Sequence, residues 1–412
     1  MKETKFKDTE IGKIPEEWEF GYFGDVLCTF SAGATPYRGI PDYYNGKINW
    51  ISSGELNYNV IYDTIGHISE EALRNTNLCL HAPGTFLMAI TGLEATGTRG
   101  KCAFVGAPSA TNQSCLAING TNKMDIKYLY WYYRMYGDYL AFKYSQGTKQ
   151  QSFTATIVKN LPITYPKQVI EQHHIASALT SIDNLIASLG KMIEKKKNIK
   201  QGAMQQLLTG KTRLKGFTEP WVYRKISEIA TTSSGGTPSR SIPNYYYGDI
   251  KWFTTTELKD NYLYDSVEHI TREALNNSSA KMFSANTILM AMYGATIGKL
   301  GVLKEPSTTN QACCAIKCND IVEIFLFYIL LYNRKSIIEK GCGAGQPNIS
   351  QAIVNELSFL VPPCEKEQQA IATILTKMDN EITALETKKA KYEAIKQGMM
   401  QQLLTGKIRL IS

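Results

Sequence analysis

From Glu171 onward the chain places apolar residues at Ile175, Leu179, Ile182, Ile186, Leu189 and Ile193, in alternating steps of four and three. That spacing is a heptad seam, the pattern of a helix that packs along one edge against another helix. A second run, Ile371, Leu375, Met378, Ile382 and Leu385, repeats it. No proline interrupts either run. Prolines stand just ahead of each, in LPITYP (161–166) and VPP (361–363), where they suit the beginning of a helix and not its interior. Thr209-Gly210 and Thr405-Gly406 supply a stop. The spacing therefore predicts two helices of about 40 residues, about 60 Å each at 1.5 Å per residue. An amphipathic helix of that length needs a partner. The nearest is its own repeat, so an antiparallel coiled coil is expected, with Leu207, Leu208, Leu403 and Leu404 at the helix ends.

Outside these runs the periodicity is short. KINWIS, TFLMAI and KCAFV, and later DIKWFT, TILMAM and GKLGVL, read as strands bounded by turn residues. KYLYWYYRMYGDYLAFK (127–143) and EIFLFYILLYNRKSII (323–338) read as helices. The fold class is mixed α/β (α+β), with two similar globular domains joined by two long helices.

The similarity is an internal repeat. Residues 31–73 align with 233–275 without a gap and agree at about half of their positions. TNQSCLAI (111–118) matches TNQACCAI (309–316), and EQHHIASALTSIDNLI (171–186) matches EQQAIATILTKMDNEI (367–382). QQLLTGKTRL (205–214) returns as QQLLTGKIRL (401–410). The offset is 202 in the front part and 196 in the back part, so the loops between the matched regions differ in length. The expected division is a first globule at 1–166, a long helix at 167–210, a second globule at 211–362 and a second long helix at 363–412.

Composition narrows the function. The formal charge of the 412 residues is +8, which favours a polyanionic partner. No apolar run approaches the ~20 residues of a membrane span. The N-terminal stretch is charged and lacks a signal-peptide core, so a cytoplasmic location is expected. The nine cysteines form no CxxC pair and five histidines accompany them. They read as reduced, mostly buried small side chains, with no metal site expected.

Catalytic motifs fail one by one. GKT at 210–212 lacks the glycine of a phosphate loop, since Gln205 stands there. A metal-dependent nuclease pattern is incomplete in both copies: Asp42 and Glu55 lack a lysine at Asn57, and Glu257 and Lys259 lack an aspartate at Asn244. No S-adenosylmethionine loop is found. His67 and His269 occupy equivalent framework positions and read as structural, as do Trp50 and Trp252. The run KMIEKKKNIK (191–200) reads as a solvated helix face. What remains is polar loop surface. SxGxTPxR loops carry Thr35 and Arg38, and Thr237 and Arg240; Tyr43 and Lys47, and Tyr245 and Lys251, follow them. Glycine-rich loops carry Arg99 and Lys101, Lys149 and Gln150, Lys299, and Gln346 and Asn348. Arginine and lysine suit guanine or phosphate, and glutamine and asparagine suit adenine edges. These are the candidate DNA-contacting residues; no catalytic or metal-binding residue is expected.

The combination GxTPxR…IPxYYxGxIxW, the repeated EQ helix and the repeated LLTGK resemble the specificity subunit of type I restriction-modification systems, over essentially the whole chain. The resemblance implies that each globule is a target recognition domain reading one half of a bipartite, asymmetric site in double-stranded DNA. It implies that the paired helices set the spacer and dock two methyltransferase subunits. S-adenosylmethionine then belongs to those subunits, and ATP and Mg²⁺ to motor-nuclease subunits; this chain has no cofactor of its own. The copies depart from each other at TPYR against TPSR and at QQSF against QPNI, so equivalent contacts in the two domains do not follow. A two-lobed adaptor that binds no DNA, and a stand-alone DNA-modifying enzyme, are the competing readings.

Overall fold

The computed structural model describes residues 5–95, 97–147, 151–341 and 348–411. They form two compact units, residues 1–189 with 388–412, and residues 190–387. The long helices run Val169–Leu207 and Glu365–Leu403, 39 residues each. The compact units divide differently from the sequence boundaries at 166, 210 and 362, because each takes half of each long helix.

In the first unit a five-stranded sheet is ordered Leu27–Ala32, Cys115–Gly120, Phe86–Ala89, Cys102–Val105, Val60–Ile61. Its pairs are antiparallel except the last, which is parallel. Phe86–Ala89 is buried at all four positions, as expected of a strand covered on both faces. A three-stranded sheet sets Ile48–Ile51 between Ser109–Thr111 and His67–Ile68. The second unit repeats both. Its five strands are Ala230–Ser234, Cys313–Cys318, Ile288–Ala291, Leu300–Leu303 and Asn261–Leu263, in the same order. Its three-stranded sheet centres on Ile250–Phe253. All six short runs expected as strands contain one.

LPITYP differs from its expected role. Pro162–Pro166 is a strand paired with Trp18–Tyr22, and the helix begins three residues later. Ser358–Val361 does the same with Val222–Lys225. Ile126–Tyr144 is one helix. Its counterpart is two, Glu323–Tyr332 and Arg334–Lys340, because the Asn333 side chain donates back to the Ile329 carbonyl (2.9 Å) where the first ends.

Each main core packs its sheet under an apolar helix and onto the long-helix seam. In the first unit Phe86, Leu116, Tyr128, Trp131 and Tyr133 meet Ile175, Leu179, Leu403 and Leu404. In the second, Ile288, Ile316, Phe325 and Ile329 meet Ile371, Leu375, Leu207 and Leu208. Ile182, Ile186 and Leu189, and Ile382, are also buried; Met378 and Leu385 are half-buried. Within each unit the helix segments run antiparallel: Glu171 and Asp183 meet Arg409 and Lys396 in that order. Gly210 and Gly406 both have φ +68°, the left-handed stop that glycine adopts without a Cβ penalty.

The cysteines depart from expectation at two positions. Cys102, Cys115, Cys313 and Cys314 are buried, and burial pushes the thiol of Cys313 up to about 12. Cys28 and Cys79 lie on the surface.

Candidate nucleic-acid interface

The SxGxTPxR loops are laid on the framework the same way in both units. A Cβ on Gly33 would fall 2.0 Å from the Thr111 carbonyl oxygen, and one on Gly235 2.2 Å from that of Thr309. Only glycine lets the loop lie this flat on the TNQ turn. Thr35 then donates to the Gln113 side-chain oxygen, and Thr237 to that of Gln311. Trp50 and Trp252 donate to the carbonyls of Ala34 and Gly236 at 3.1 and 2.9 Å. These threonines and tryptophans fix the loop. Tyr43 and Tyr245 sit at 7% and 8% exposure, and the Tyr43 hydroxyl accepts from Asn75 at 2.8 Å. Their rings belong to the small core beneath the loop, and neither presents a face to a ligand.

The arginines part company. Arg240 is forked onto Glu268, with one nitrogen 2.8 Å from Oε2, and its guanidinium lies 4.1 Å from the Tyr246 ring centroid and 5.1 Å from that of Trp252. Its hydrogen bonds hold the Glu268 carboxyl below the usual carboxylate range. The position equivalent to Glu268 is Gly66. Arg38 is exposed and makes no ion pair among the described residues. Lys47 is likewise exposed. Lys251 reaches the Tyr264 carbonyl at 2.6 Å and Glu305 at 2.9 Å.

The glycine-rich loops also differ. Lys101 donates to Asn57 at 2.7 Å and lies 4.8 Å from the centre of the Tyr58 ring. With Ser53, Gly54, Leu56, Asn57, Gly97 and Thr98 it lines a cavity of about 270 Å³. Lys299 instead pairs with Asp260 at 3.1 Å, a carboxylate that Arg334 also holds. Arg99 Nε stands 3.0 Å from Asp138 Oδ1, an ion pair by distance whose angle misses that of a hydrogen bond. Asn348 is exposed and bridges to Tyr293. Lys149, Gln150 and Gln346 lie outside the described residues.

The lysine run is not merely solvated. Lys196 and Lys197 reach Glu381 and Glu386 at 2.6 and 2.7 Å, and Lys200 reaches Asp379 at 2.6 Å, all within the second unit. These pairs tie helix to helix.

Sequence reasoning missed the device that the two most repeated motifs build together. Arg409, in the second decapeptide, forks onto Glu171 of the first EQ pair at 2.6 and 2.8 Å. Arg213, in the first decapeptide, forks onto Glu367 of the second at 2.7 and 2.8 Å. Glu171 and Glu367 are 1% and 0% exposed. The neighbouring Gln172 accepts from the Asp125 amide (2.8 Å) and donates to the carbonyls of Lys123 and Pro166 (2.9 and 2.8 Å). Gln368 does the same work for Val322 and Pro362. The E of each EQ pins the end of one long helix beside the start of the other, and the Q fixes that start to its globule. The signal was available: one arginine and one EQ pair kept in both copies.

Glu55 and Glu257, weighed as nuclease ligands, are hydrogen-bond acceptors for their own loops. Glu55 takes the amides of Ser52 and Ile65 (2.8 and 3.0 Å), and Glu257 those of Thr254 and Val267 (2.7 and 2.8 Å). His67 and His269 each contact an aspartate at 3.1 Å, Asp63 and Asp265. Among the described residues no cluster of three or more His, Cys, Asp or Glu side chains could hold a metal ion, and no helix is long and apolar enough to cross a membrane.

Comparison with known proteins agrees with this architecture. The family model described as the type I restriction modification DNA specificity domain matches twice, at residues 15–201 and 218–397. The MjaIX type I restriction enzyme specificity subunit of Methanocaldococcus jannaschii is 32% identical, over 99% of this chain and 97% of its own. The MjaVIII specificity subunit of the same organism is 26% identical, with the same coverage. The crystal structure of the type I restriction-modification S subunit from M. genitalium superposes with a TM-score of 0.64 at 16% identity, covering 94% of this chain and 96% of that one. With two copies of its domain spanning most of the sequence, the chain belongs to the type I restriction modification DNA specificity family.

Proposed function

We propose that this chain is the DNA-reading subunit of a type I restriction-modification complex. Each unit reads one half of a bipartite, asymmetric site in double-stranded DNA, and the paired helices set the unread gap and dock two methyltransferase subunits. Catalysis, with S-adenosylmethionine, ATP and Mg²⁺, resides in the methyltransferase and motor-nuclease partners and not in this chain. The carrying observation is a pair of sheets duplicated strand for strand whose neighbouring cations are set differently in the two copies. A shared framework suits two identical partners, and unlike loops suit two unlike half-sites.

Recognition then divides by residue. Arg38, Lys47 and Lys101 in the first unit, and Arg240, Lys251, Lys299 and Asn348 in the second, supply contacts to phosphates and base edges. Thr35, Thr237, Tyr43 and Tyr245 support them from behind. Arg99, Lys149, Gln150 and Gln346 belong to the same loops.

Selection from a random duplex library by the chain with its cognate methyltransferase tests the proposal. Two short enriched blocks at a fixed separation, with affinity falling steeply in salt, are the expected result. No enriched sequence, with both proteins folded and bound to each other, would leave the adaptor reading instead.

A further inference from the structure

The most exposed large aliphatic side chains of the two units occupy the same place in the repeat. Ile65 is 93% exposed and Val267 85%. Tyr62 and Tyr264, also equivalent, are 70% and 65% exposed. Aliphatic side chains this bare usually stand on loose loops, but these loops are held at each residue. The tip amides of Ile65 and Val267 donate to Glu55 and Glu257. Thr64 and Ser266 take the Trp50 and Trp252 amides at 3.2 and 3.0 Å, and donate onward to the carbonyls of Gly66 and Glu268. Asn49 and Lys251 grip the carbonyls of Tyr62 and Tyr264 at 3.0 and 2.6 Å. Each loop is a rigid knob of one β-branched side chain and one tyrosine.

The surroundings say what such a knob fits. Asp63, which contacts the His67 ring at 3.1 Å, and Glu55, which accepts from the Ser52 and Ile65 amides and the Ser52 hydroxyl, flank the first. At the second, the four carboxylates Asp265, Glu257, Glu268 and Glu305 outnumber Arg240, Lys251 and the His269 ring, each of which already contacts one of them. An apolar tip on acidic ground is complementary to a protein pocket lined with apolar side chains and rimmed by basic ones. The arginines proposed to read the half-sites are set differently in the two copies, Arg240 paired with Glu268 and Arg38 without an ion pair among the described residues. The knobs are alike, so their partner is alike in both units.

We infer that the Ile65–Tyr62 and Val267–Tyr264 knobs are equivalent docking anchors for two copies of one protein subunit, the methyltransferase, which meets them with an apolar, basic-rimmed pocket. The inference rests on the proposed function above. It adds a surface on each globule, apart from the long helices, that positions the partner against the recognition domain.

The test uses the full chain and the purified methyltransferase subunit encoded with it. Stoichiometry and affinity are read by sedimentation velocity and calorimetry for I65D, V267D, the double variant, and the milder I65A. Expected are two sites in the parent and one site weakened about 10–100-fold in each single aspartate variant. Both sites should weaken in the double variant, and I65A should move in the same direction by less. DNA affinity of the chain alone should stay within about twofold, and melting temperature should be nearly unchanged, since both side chains are almost wholly exposed and their backbone hydrogen bonds are kept. Wild-type methyltransferase affinity in the double variant overturns the inference. Lost DNA affinity with methyltransferase binding intact would make the knobs DNA wedges and leave the proposed function standing. Loss of a dimer of this chain, with methyltransferase binding intact, would make them self-association surfaces. A parent chain that takes no methyltransferase and selects no DNA sequence would remove the proposed function and this inference together.

Discussion

At the scale of single residues, repeated positions have roles that repetition alone does not reveal. Arg409 and Glu171 illustrate this. Removing the arginine strands a carboxylate that is 1% exposed, and an unpaired buried charge costs about 3–5 kcal/mol. R409A should therefore lower stability by about that amount in urea unfolding, and the double variant R409A/E171Q should recover at least half of the loss. Equal losses in the single and double variants would show that the pair is not the cause. Arg38 and Arg240 make the opposite point, since equal letters hold unequal positions. Arg240 is anchored to Glu268 and Arg38 is not. R38A should reduce the salt slope of DNA binding by about one, whereas R240A should reduce it less and destabilise the loop. The sequence made both arginines candidates. It could not separate them, because the difference is made by Glu268 against Gly66, 28 residues further on in each copy. Tyr43 and Tyr245 were legible as polar aromatics near the loop but not as buried ones, since burial depends on how Gly33 and Gly235 let the loop lie.

At the scale of elements, the long helices were legible nearly to their ends, because a heptad seam without proline admits few alternatives. Their stops were legible too, but the stops are not equivalent. A Cβ on Gly406 would meet Pro15 Cγ at 2.4 Å, whereas one on Gly210 would meet the Trp221 ring at 3.4 Å. Both residues pay the left-handed penalty of about 1–2 kcal/mol on substitution, so G406A should destabilise its unit more than G210A. Equal effects in thermal unfolding would contradict the packing described. Helix pairing in the first unit also has a pH signature. Burial raises the Asp183 pKa, but the hydrogen bonds and charges of Lys396 and Arg134 outweigh it and bring the net value below normal. A carboxylate with a depressed folded pKa contributes stability that is full above its unfolded value, near 4, and is lost as pH falls through the folded value. Acid unfolding of D183N should therefore show a shallower loss below about pH 4 than that of the parent chain. The helix at 323–338 was the least legible element, since Asn333 interrupts a run whose apolar pattern is continuous.

At the scale of the whole molecule, the duplication was legible from ten residues repeated almost unchanged, and the structure gives its reason. Each decapeptide carries, next to its last residue, an arginine that clamps the glutamate of the EQ pair belonging to the other copy. The repeat is thus two halves of two equivalent joints, which a single copy could not close. DNA specificity was less legible. On the proposed reading it lies in loops that vary between copies and in contacts made only with a partner present. The central claim is that the two units read separate half-sites for a shared methyltransferase. It is tested most directly by co-expressing the chain with its cognate methyltransferase in a methylation-free host and sequencing the DNA for modified bases. The account predicts a two-part asymmetric motif with a fixed unread gap, of which only one part changes when residues 1–166 are exchanged for those of a relative. A single contiguous motif, or a change in both parts after that exchange, would contradict it.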